Sequence, residues 1–321
     1  MTQKSIIFFG TPEFAVASLD ALLKANYNVI AVVTTADKPA GRGKKISFSP
    51  VKTYANEKKL ALLQPENLSD EDFINKLKSL NADLFIVVAF RKLPKIIWQM
   101  PDLGTFNLHA SLLPDYRGAA PINWAIINGE KETGITTFFL NENIDEGKII
   151  FNQKIEIQQD ETFGELYNKM KIAGAELLTK TVDAIFNNNY EAIDQNTLTN
   201  NISKINKAPK ILKNDCKINW ENNSTDIVNK IRGLNPTPSA FTIFITENNA
   251  ELYLKIHIAK AEQTTHNFAI GEIITDKKTF LKIAVKDGFV YLEEIQIAGK
   301  NKVKIPDFLR GYQVNNLWKT S

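Results

Sequence analysis

Two polar side chains that could stabilise a developing negative charge stand two residues apart in the segment Thr105–His109. Polar and apolar residues alternate there, which predicts a strand with Asn107 and His109 on one face near its carboxyl end. Amide and imidazole N–H groups can bind the oxygen of a tetrahedral transition state. Both residue types also occur as hydrogen-bonded polar residues of a core, so these two alone leave both interpretations open.

A long motif begins immediately after His109. The segment Ser111–Ile122 has the sequence SLLPDYRGAAPI and, with Asn107-Leu108-His109, closely resembles the signature of the folate-dependent formyltransferases. The resemblance implies that an amine attacks a formyl carbon and that Asn107 and His109 are catalytic.

The third catalytic residue of that family is an aspartate in a loop that follows the next strands. Asp145, in Ile144-Asp145-Glu146-Gly147, occupies the matching place. The resemblance implies that Asp145 orients His109 and relays protons between the attacking amine and the leaving folate nitrogen. Without the family, Glu142 or Glu146 would be alternative choices, and an exposed loop carboxylate without a catalytic role is the simplest alternative.

The resemblance also implies 10-formyltetrahydrofolate as the formyl donor. Its pterin is expected to contact the backbone and apolar side chains of a turn formed by Ser111, Leu112, Leu113 and Pro114. One departure concerns the wall of this pocket, because the family usually has Ala-Tyr-Gly where this chain has Ala89-Phe90-Arg91.

Within the family, the chain more closely resembles the methionyl-tRNA formyltransferases. Ala40–Lys45, with the sequence AGRGKK, and the following Ser49–Lys52 resemble their inserted tRNA-contacting loop, although a basic run is more often only solvated. Ala208–Ile211 and Ile231–Pro236 resemble their C-terminal module. The implied acceptor is the amino group of methionine attached to initiator tRNA. The expected tRNA contacts are Arg42, Lys44 and Lys45 in the loop and Lys204, Lys207 and Lys210 near the linker.

The elements that must position these residues follow an α/β pattern. Short apolar runs at residues 6–9, 29–34 and 84–89 alternate with helical patterns at 14–24 and 71–80, which predicts a doubly wound, mostly parallel, Rossmann-like sheet. Strands at 105–109, 135–140 and 148–155 extend it. A helix at 162–186 is expected to begin with a capping box formed by Thr162 and Glu165.

The C-terminal third has a different pattern. A helix is predicted at 225–232, followed by strands at 241–245, 252–259, 269–274, 281–285 and 289–296, which indicates a small OB-like β-barrel. We therefore expect a catalytic domain at 1–188, a basic linker at 189–207 and a tRNA-binding β-barrel domain at 208–321.

Composition excludes several kinds of site. Gly10–Ala15 follows the first strand but lacks the later glycines of a dinucleotide fingerprint. Cys216 is the only cysteine and the three histidines are scattered, so no zinc site is expected and no metal is required. No apolar run approaches membrane-spanning length. We expect a soluble, cytoplasmic monomer that binds tRNA, not DNA or a membrane, although a net charge of +3 indicates nucleic-acid binding only weakly.

Two other functions remain to be weighed. Another 10-formyltetrahydrofolate-dependent enzyme, acting on a nucleotide sugar or glycinamide ribonucleotide, would share the Asn/His/Asp set. The basic loop and the C-terminal β domain argue against the glycinamide enzyme. A noncatalytic RNA-binding protein on the same scaffold is an alternative of a different class, which the complete Asn/His/Asp set argues against.

Overall fold

The computed structural model describes residues 3–40, 45–198, 205–315 and 317–321. The chain forms two compact units. One unit comprises residues 1–118, 133–156 and 167–208, and the other comprises residues 119–132, 157–166 and 209–321. Residues 119–132 belong to the second unit because the helix at Pro121–Ile127 packs against the helix at Ser224–Gly233. The predicted linear domain boundaries, at 188 and 208, stay a prediction.

A seven-stranded sheet forms the centre of the first unit. Its strands are β1 Ser5–Gly10, β2 Asn28–Val33, β5 Leu62–Leu63, β6 Leu84–Val88, β7 Thr105–His109, β9 Glu132–Phe139 and β10 Ile149–Glu156. Their order in the sheet is β10-β9-β7-β6-β1-β2-β5. The pairs β1–β2, β1–β6, β2–β5 and β6–β7 are parallel, whereas β7–β9 is antiparallel. The predicted α/β class with a mostly parallel sheet is confirmed.

Burial on both faces explains the continuous apolar sequence of the central strands. Ile6–Phe9 are fully buried, and every residue of Leu84–Val88 is buried. Such strands have no polar face, which distinguishes them from β7 with its polar Asn107 and His109.

Two short pairs of strands lie outside this sheet. β3 (Lys38–Ala40) and β4 (Lys45–Ser47) pair antiparallel on either side of the basic loop. β8 (Arg117–Gly118) pairs parallel with β11 (Lys207–Ala208), so the family motif is joined to the end of the predicted linker.

Some helices begin at residues whose side chains accept free N–H groups of the first turn. Ser49 Oγ accepts the Lys52 N–H at 3.0 Å, and Asp70 Oδ1 accepts the Phe73 N–H at 3.1 Å. The predicted capping box is present, since Glu165 Oε2 accepts the Thr162 N–H at 2.8 Å. The Thr162 backbone N–H and hydroxyl donate to this carboxylate and lower the pKa of Glu165. The helices are α1 Glu13–Lys24, α2 Pro50–Glu57, α3 Glu71–Leu80, α4 Lys95–Trp98, α5 Pro121–Ile127, α6 Phe163–Phe186, α7 Ser224–Gly233 and α8 Ile305–Gly311.

The second unit contains an antiparallel sheet that is almost closed into a barrel. Its strands are β12 Ala240–Ile245, β13 Glu251–Gln263, β14 Ile273–Thr275, β15 Leu281–Val285, β16 Gly288–Ile297, β17 Lys302–Lys304 and β18 Lys319–Thr320. Their order is β14-β15-β16-β13-β12-β18, and β17 pairs with β16. A bridge between Glu272 and Lys319 brings the two edges together, which supports the predicted barrel.

One predicted strand of this barrel was placed too early. The strand predicted at 269–274 begins at Ile273, because the preceding residues form a turn. The Glu272 N–H donates to Ala269 O at 3.0 Å, and Gly271 has a φ of +82°. Apolar residues in that turn imitate a strand pattern.

In the described part of the chain, no helix has both the length and the apolar character needed to cross a membrane.

Candidate active site

His109 ends β7, where its backbone pairs with Thr136 of the neighbouring antiparallel strand. The side chain is buried, and its Nε2 lies 2.9 Å from Tyr116 O. A carbonyl oxygen can only accept, so Nε2 carries the proton in this contact. The second ring nitrogen, Nδ1, lies 3.8 Å from Asp145 Oδ2. Nδ1 is therefore the nitrogen that can exchange a proton beside the carboxylate.

Asn107 lies two residues earlier on β7, with Val87 and Phe138 beside it on the adjacent strands. The residue is half-buried. Within the described ranges its side-chain amide has no hydrogen-bond partner. An amide with this exposure, two residues before His109 on the same strand, can donate to a carbonyl oxygen.

The turn after β7 is held by Thr136. Its hydroxyl donates to Ser111 O at 2.7 Å and accepts the Leu113 N–H at 3.2 Å. The side chains of Ser111 and Leu113 are buried, whereas Leu112 and Pro114 are partly exposed. Of the four residues predicted to bind folate, two therefore shape the turn and two present side chains to its surroundings.

Asp145 lies in the loop between β9 and β10 with a φ of +56°, the left-handed region that non-glycine residues rarely adopt. Its Oδ2 accepts the backbone N–H of Gly118 at 2.9 Å. The same oxygen is the one near His109 Nδ1. Sequence positions 109, 118 and 145 thus meet within the first unit.

Gly118 is required by the close approach of β8 to β11. Its φ is +128°, and a Cβ built on it would lie 2.4 Å from Ala208 O. The chain therefore needs a glycine at the residue whose N–H binds Asp145.

The two alternative carboxylates have other partners. Glu142 pairs with Lys95 on the surface, and this hydrogen bond lowers the pKa of Glu142. Glu146 Oε1 lies 3.1 Å from Arg117 Nη1, and its side chain is 42% exposed. Of the three carboxylates considered from the sequence, the structure brings Asp145 to His109.

Sequence analysis missed Gln195, which lies in the segment predicted to be a linker. The residue is 1% exposed and begins a 3-10 turn, Gln195–Thr197. Its Nε2 donates to Asp145 O at 2.9 Å and to Gly147 O at 2.8 Å. The bridge between Ile149 and Ile193 brings this part of the chain to the sheet, and a polar run gives no sign of such a contact.

The pocket wall that departs from the family is tied to neighbouring backbone. Arg91 Nη1 donates to Glu66 O at 2.7 Å, and Lys92 Nζ donates to Glu142 O at 3.0 Å. The second contact reaches the loop that carries Asp145.

The predicted tRNA contacts are only partly described. Arg42, Lys44 and Lys204 lie outside the described residues, and only the backbone of Lys45 is described, in β4. Lys207 is exposed and pairs through its backbone with Arg117 of β8. The next residue of β8, Gly118, donates its N–H to Asp145. Lys210 is exposed in the second unit. No group of three or more His, Cys, Asp or Glu residues in the described ranges could hold a metal ion.

Comparison with known proteins gives the same family for both parts of the chain. Residues 3–182 match the formyl transferase family model, and residues 210–313 match the model for the formyl transferase C-terminal domain. The methionyl-tRNA formyltransferase of Flavobacterium johnsoniae is 49% identical over 311 residues, covering 97% of each chain. That of Parabacteroides distasonis is 48% identical over 309 residues, covering 96% of this chain and 95% of its own.

A solved structure has the same fold at low sequence identity. WlaRD, a sugar 3N-formyl transferase crystallised in the presence of dTDP and 5-N-formyl-THF, aligns with a TM-score of 0.64 at 23% identity. The alignment covers 94% of this chain and 100% of that chain.

The close approach at Gly118 gives a stability prediction. Gly118→Ala should destabilise the protein by more than about 1 kcal/mol, because it combines a disfavoured φ with a backbone collision. Gly311→Ala is the matched control, since a Cβ there meets nothing within 4 Å. Chemical denaturation of both variants measures the difference. Equal stability of the two would show that β8 and β11 separate without cost.

Proposed function

Because the chain belongs to the methionyl-tRNA formyltransferase family, we propose that it transfers a formyl group to the amino group of methionine attached to initiator tRNA. The formyl donor in this proposal is 10-formyltetrahydrofolate. The observation that carries the proposal is the approach of Asp145 to His109 at the carboxyl end of β7, with Asn107 two residues earlier on the same strand.

Formyl transfer passes through a tetrahedral centre whose oxygen gains negative charge. The Asn107 amide, which is half-buried and has no partner in the described part of the chain, donates to this oxygen. A donor held in place before the reaction stabilises the transition state more than the ground state. Asn107 lies on a paired strand, so it does not need to be ordered when substrate arrives.

His109 and Asp145 act together in the proton transfers. The Tyr116 carbonyl holds Nε2–H, so Nδ1 exchanges a proton with the reacting groups. The Asp145 carboxylate balances the charge that the ring gains when it takes that proton. This arrangement moves the amine proton toward the leaving folate nitrogen.

The folate lies against the Ser111–Pro114 turn. Leu112 and Pro114 present partly exposed side chains for the pterin, whereas Ser111 and Leu113 keep the turn in shape through Thr136. The donor set around Asn107 and His109 fits a formyl oxygen. WlaRD, which shares the fold, was crystallised with a formylated folate, which supports a folate-derived donor.

The tRNA binds through phosphate contacts from the basic loop and the lysines of the linker. Lys207 is exposed, has no ion-pair partner in the described ranges and lies one strand from the Asp145 contact. Arg42, Lys44, Lys45, Lys204 and Lys210 complete the set. The enzyme works as a monomer in the cytoplasm, where charged tRNA and folate are both present.

One assay tests the proposal directly. The purified protein is incubated with 10-formyltetrahydrofolate and charged initiator tRNA, and formyl-methionine is released from the tRNA and measured. Nucleotide-linked amino sugars serve as competing acceptors. Formylation of the sugars without formylation of the tRNA would identify a sugar formyltransferase. If no formyl group reaches either acceptor in single-turnover conditions, a noncatalytic RNA-binding protein is the remaining explanation.

Removal of either side chain should abolish most of the transfer. Asn107→Ala should lower kcat/KM by a factor that corresponds to about 3 to 4 kcal/mol, the typical loss for one oxyanion donor. His109→Ala should lower it by about 100- to 10,000-fold, the typical contribution of a general acid–base group. Circular dichroism should show an intact fold. Near-normal turnover of either variant at saturating substrates would contradict the mechanism.

Removal of the Asp145 charge should affect turnover rather than binding. Asp145→Asn keeps the side chain's size but loses the carboxylate beside His109, so kcat should fall sharply while folate affinity changes little. Steady-state kinetics and folate titration separate these effects. A defect confined to folate affinity would remove Asp145 from the catalytic set.

Loss of a phosphate contact should weaken tRNA use and its dependence on salt. Arg42→Ala and Lys207→Ala should each lower kcat/KM for charged tRNA and reduce the salt slope by about 1, without changing folate affinity. Lys76→Ala, on an exposed position of α3, removes the same charge elsewhere and is the control. The kinetics are measured at subsaturating tRNA over a salt series. A variant that behaves like Lys76→Ala would refute the tRNA contact assigned to its residue.

A further inference from the structure

Gln195 binds the backbone of the loop at Asp145 and again two residues later, at Gly147. Its amide nitrogen donates to the carbonyl oxygens of Asp145 and Gly147, at 2.9 and 2.8 Å. A carboxamide has two N–H groups, so this contact uses its full donor capacity. The peptide carbonyls that follow Asp145 and Gly147 are therefore fixed by one buried side chain.

Arg117 holds Gln195 in turn. Its Nε and Nη2 donate to Gln195 Oε1 at 3.1 and 2.7 Å, and its Nη1 lies 3.1 Å from Glu146 Oε1. The guanidinium is planar, so bonds along one edge orient the amide with its nitrogen toward the loop. We call these contacts of Gln195 with Arg117, Asp145 and Gly147 the Gln195 clamp.

The backbone of the loop is unusual at two positions. Asp145 has a φ of +56°, which needs support from its surroundings. At the far end of the loop, Gly147 lies so close to β9 that a Cβ would meet Phe139 O at 1.6 Å. This fixes Gly147, whereas the direction of the Asp145 side chain depends on the peptide groups between them and on the Gly118 N–H that its carboxylate accepts.

We propose that Gln195 is a positioning residue for formyl transfer, which sets the Asp145 carboxylate against His109 through the two carbonyl groups that it binds. This inference rests on the proposed catalytic role of Asp145. Gln195 itself does not contact the reacting groups, because its side-chain oxygen and nitrogen are both occupied by protein groups. Its effect on the reaction passes through the Asp145 backbone.

A purely structural role is the competing explanation, since a buried amide that loses its partners destabilises any fold. The two explanations differ in what they predict for kinetics. A structural role lowers the melting temperature and leaves the folded enzyme's kcat intact. A positioning role lowers the kcat of enzyme that is fully folded, because a small displacement of a catalytic group has a large effect on rate.

The test uses Gln195→Met, which has a similar length and lacks the amide. We expect kcat to fall on the order of 100-fold at a temperature where the protein is folded, with the KM for folate and for charged tRNA unchanged. Thr181→Val is the control in the same unit, because it removes a buried hydroxyl contact with Thr137, 2.9 Å long, away from the loop. This control should lower the melting temperature but keep kcat.

A double-mutant cycle then identifies the route of the effect. If Gln195 acts through Asp145, Gln195→Met should cause little further loss in an Asp145→Asn background, measured by single turnover with excess enzyme. Equal losses in both backgrounds would overturn the proposal, as would a wild-type kcat for Gln195→Met. If the methionine variant does not fold, Gln195→Glu carries the same comparison, since it keeps the acceptor for Arg117 and loses both donors to the loop.

The controls also separate this inference from the proposed function. If Asp145→Asn retains normal turnover, the catalytic role of Asp145 is wrong, and the positioning inference falls with it. If Asp145→Asn is inactive and Gln195→Met is normal, the proposed function stands and only the positioning inference is wrong.

Discussion

The hydrogen bond from the Gly118 N–H to Asp145 Oδ2, 2.9 Å long, fixes the carboxylate oxygen that also lies 3.8 Å from His109 Nδ1. Three separate parts of the chain must be correctly placed for this oxygen to have both neighbours. β7 supplies the histidine, the loop before β10 supplies the aspartate, and the pairing of β8 with β11 supplies the N–H. The parallel sheet matters to this arrangement because it fixes the end of β7, beside which the aspartate loop and the β8–β11 pair lie.

The hydrophobic periodicity of the sequence predicted the strand that carries the candidate site but misplaced one strand of the barrel. The predicted bounds of β7, 105–109, match the structure, because the strand alternates and is bounded by turns. The turn at 269–272 was mistaken for the start of a strand, since its apolar residues satisfy the pattern while Gly271 takes a positive φ. A sequence shows the side-chain pattern of a strand but not the backbone angles that interrupt it.

The candidate site was predictable where residue type and motif carry the information. Asn107, His109 and Asp145 have reactive side chains within recognisable motifs, and the structure brings His109 and Asp145 together. Gln195 has no such signal, because its effect depends on two backbone carbonyls about fifty residues earlier in the sequence. A contact between a side chain and a distant backbone leaves no local pattern, so a segment rich in asparagine and threonine looks like a solvated linker.

The conformation at Asp145 explains why the loop needs so many constraints. A non-glycine residue with positive φ is strained by roughly 1 to 3 kcal/mol, although a short polar side chain such as aspartate tolerates this region better than most. Without the bonds to Gly118 and Gln195, the residue would relax toward an extended or right-handed conformation and turn its carboxylate away from His109. The buried amide and its two carbonyl partners offset this strain inside the protein, where water does not compete for them. The strained backbone at Asp145 and the buried side chain of Gln195 are thus two parts of one arrangement. The loop supplies carbonyl partners for the buried amide, and the amide holds the loop in its strained conformation.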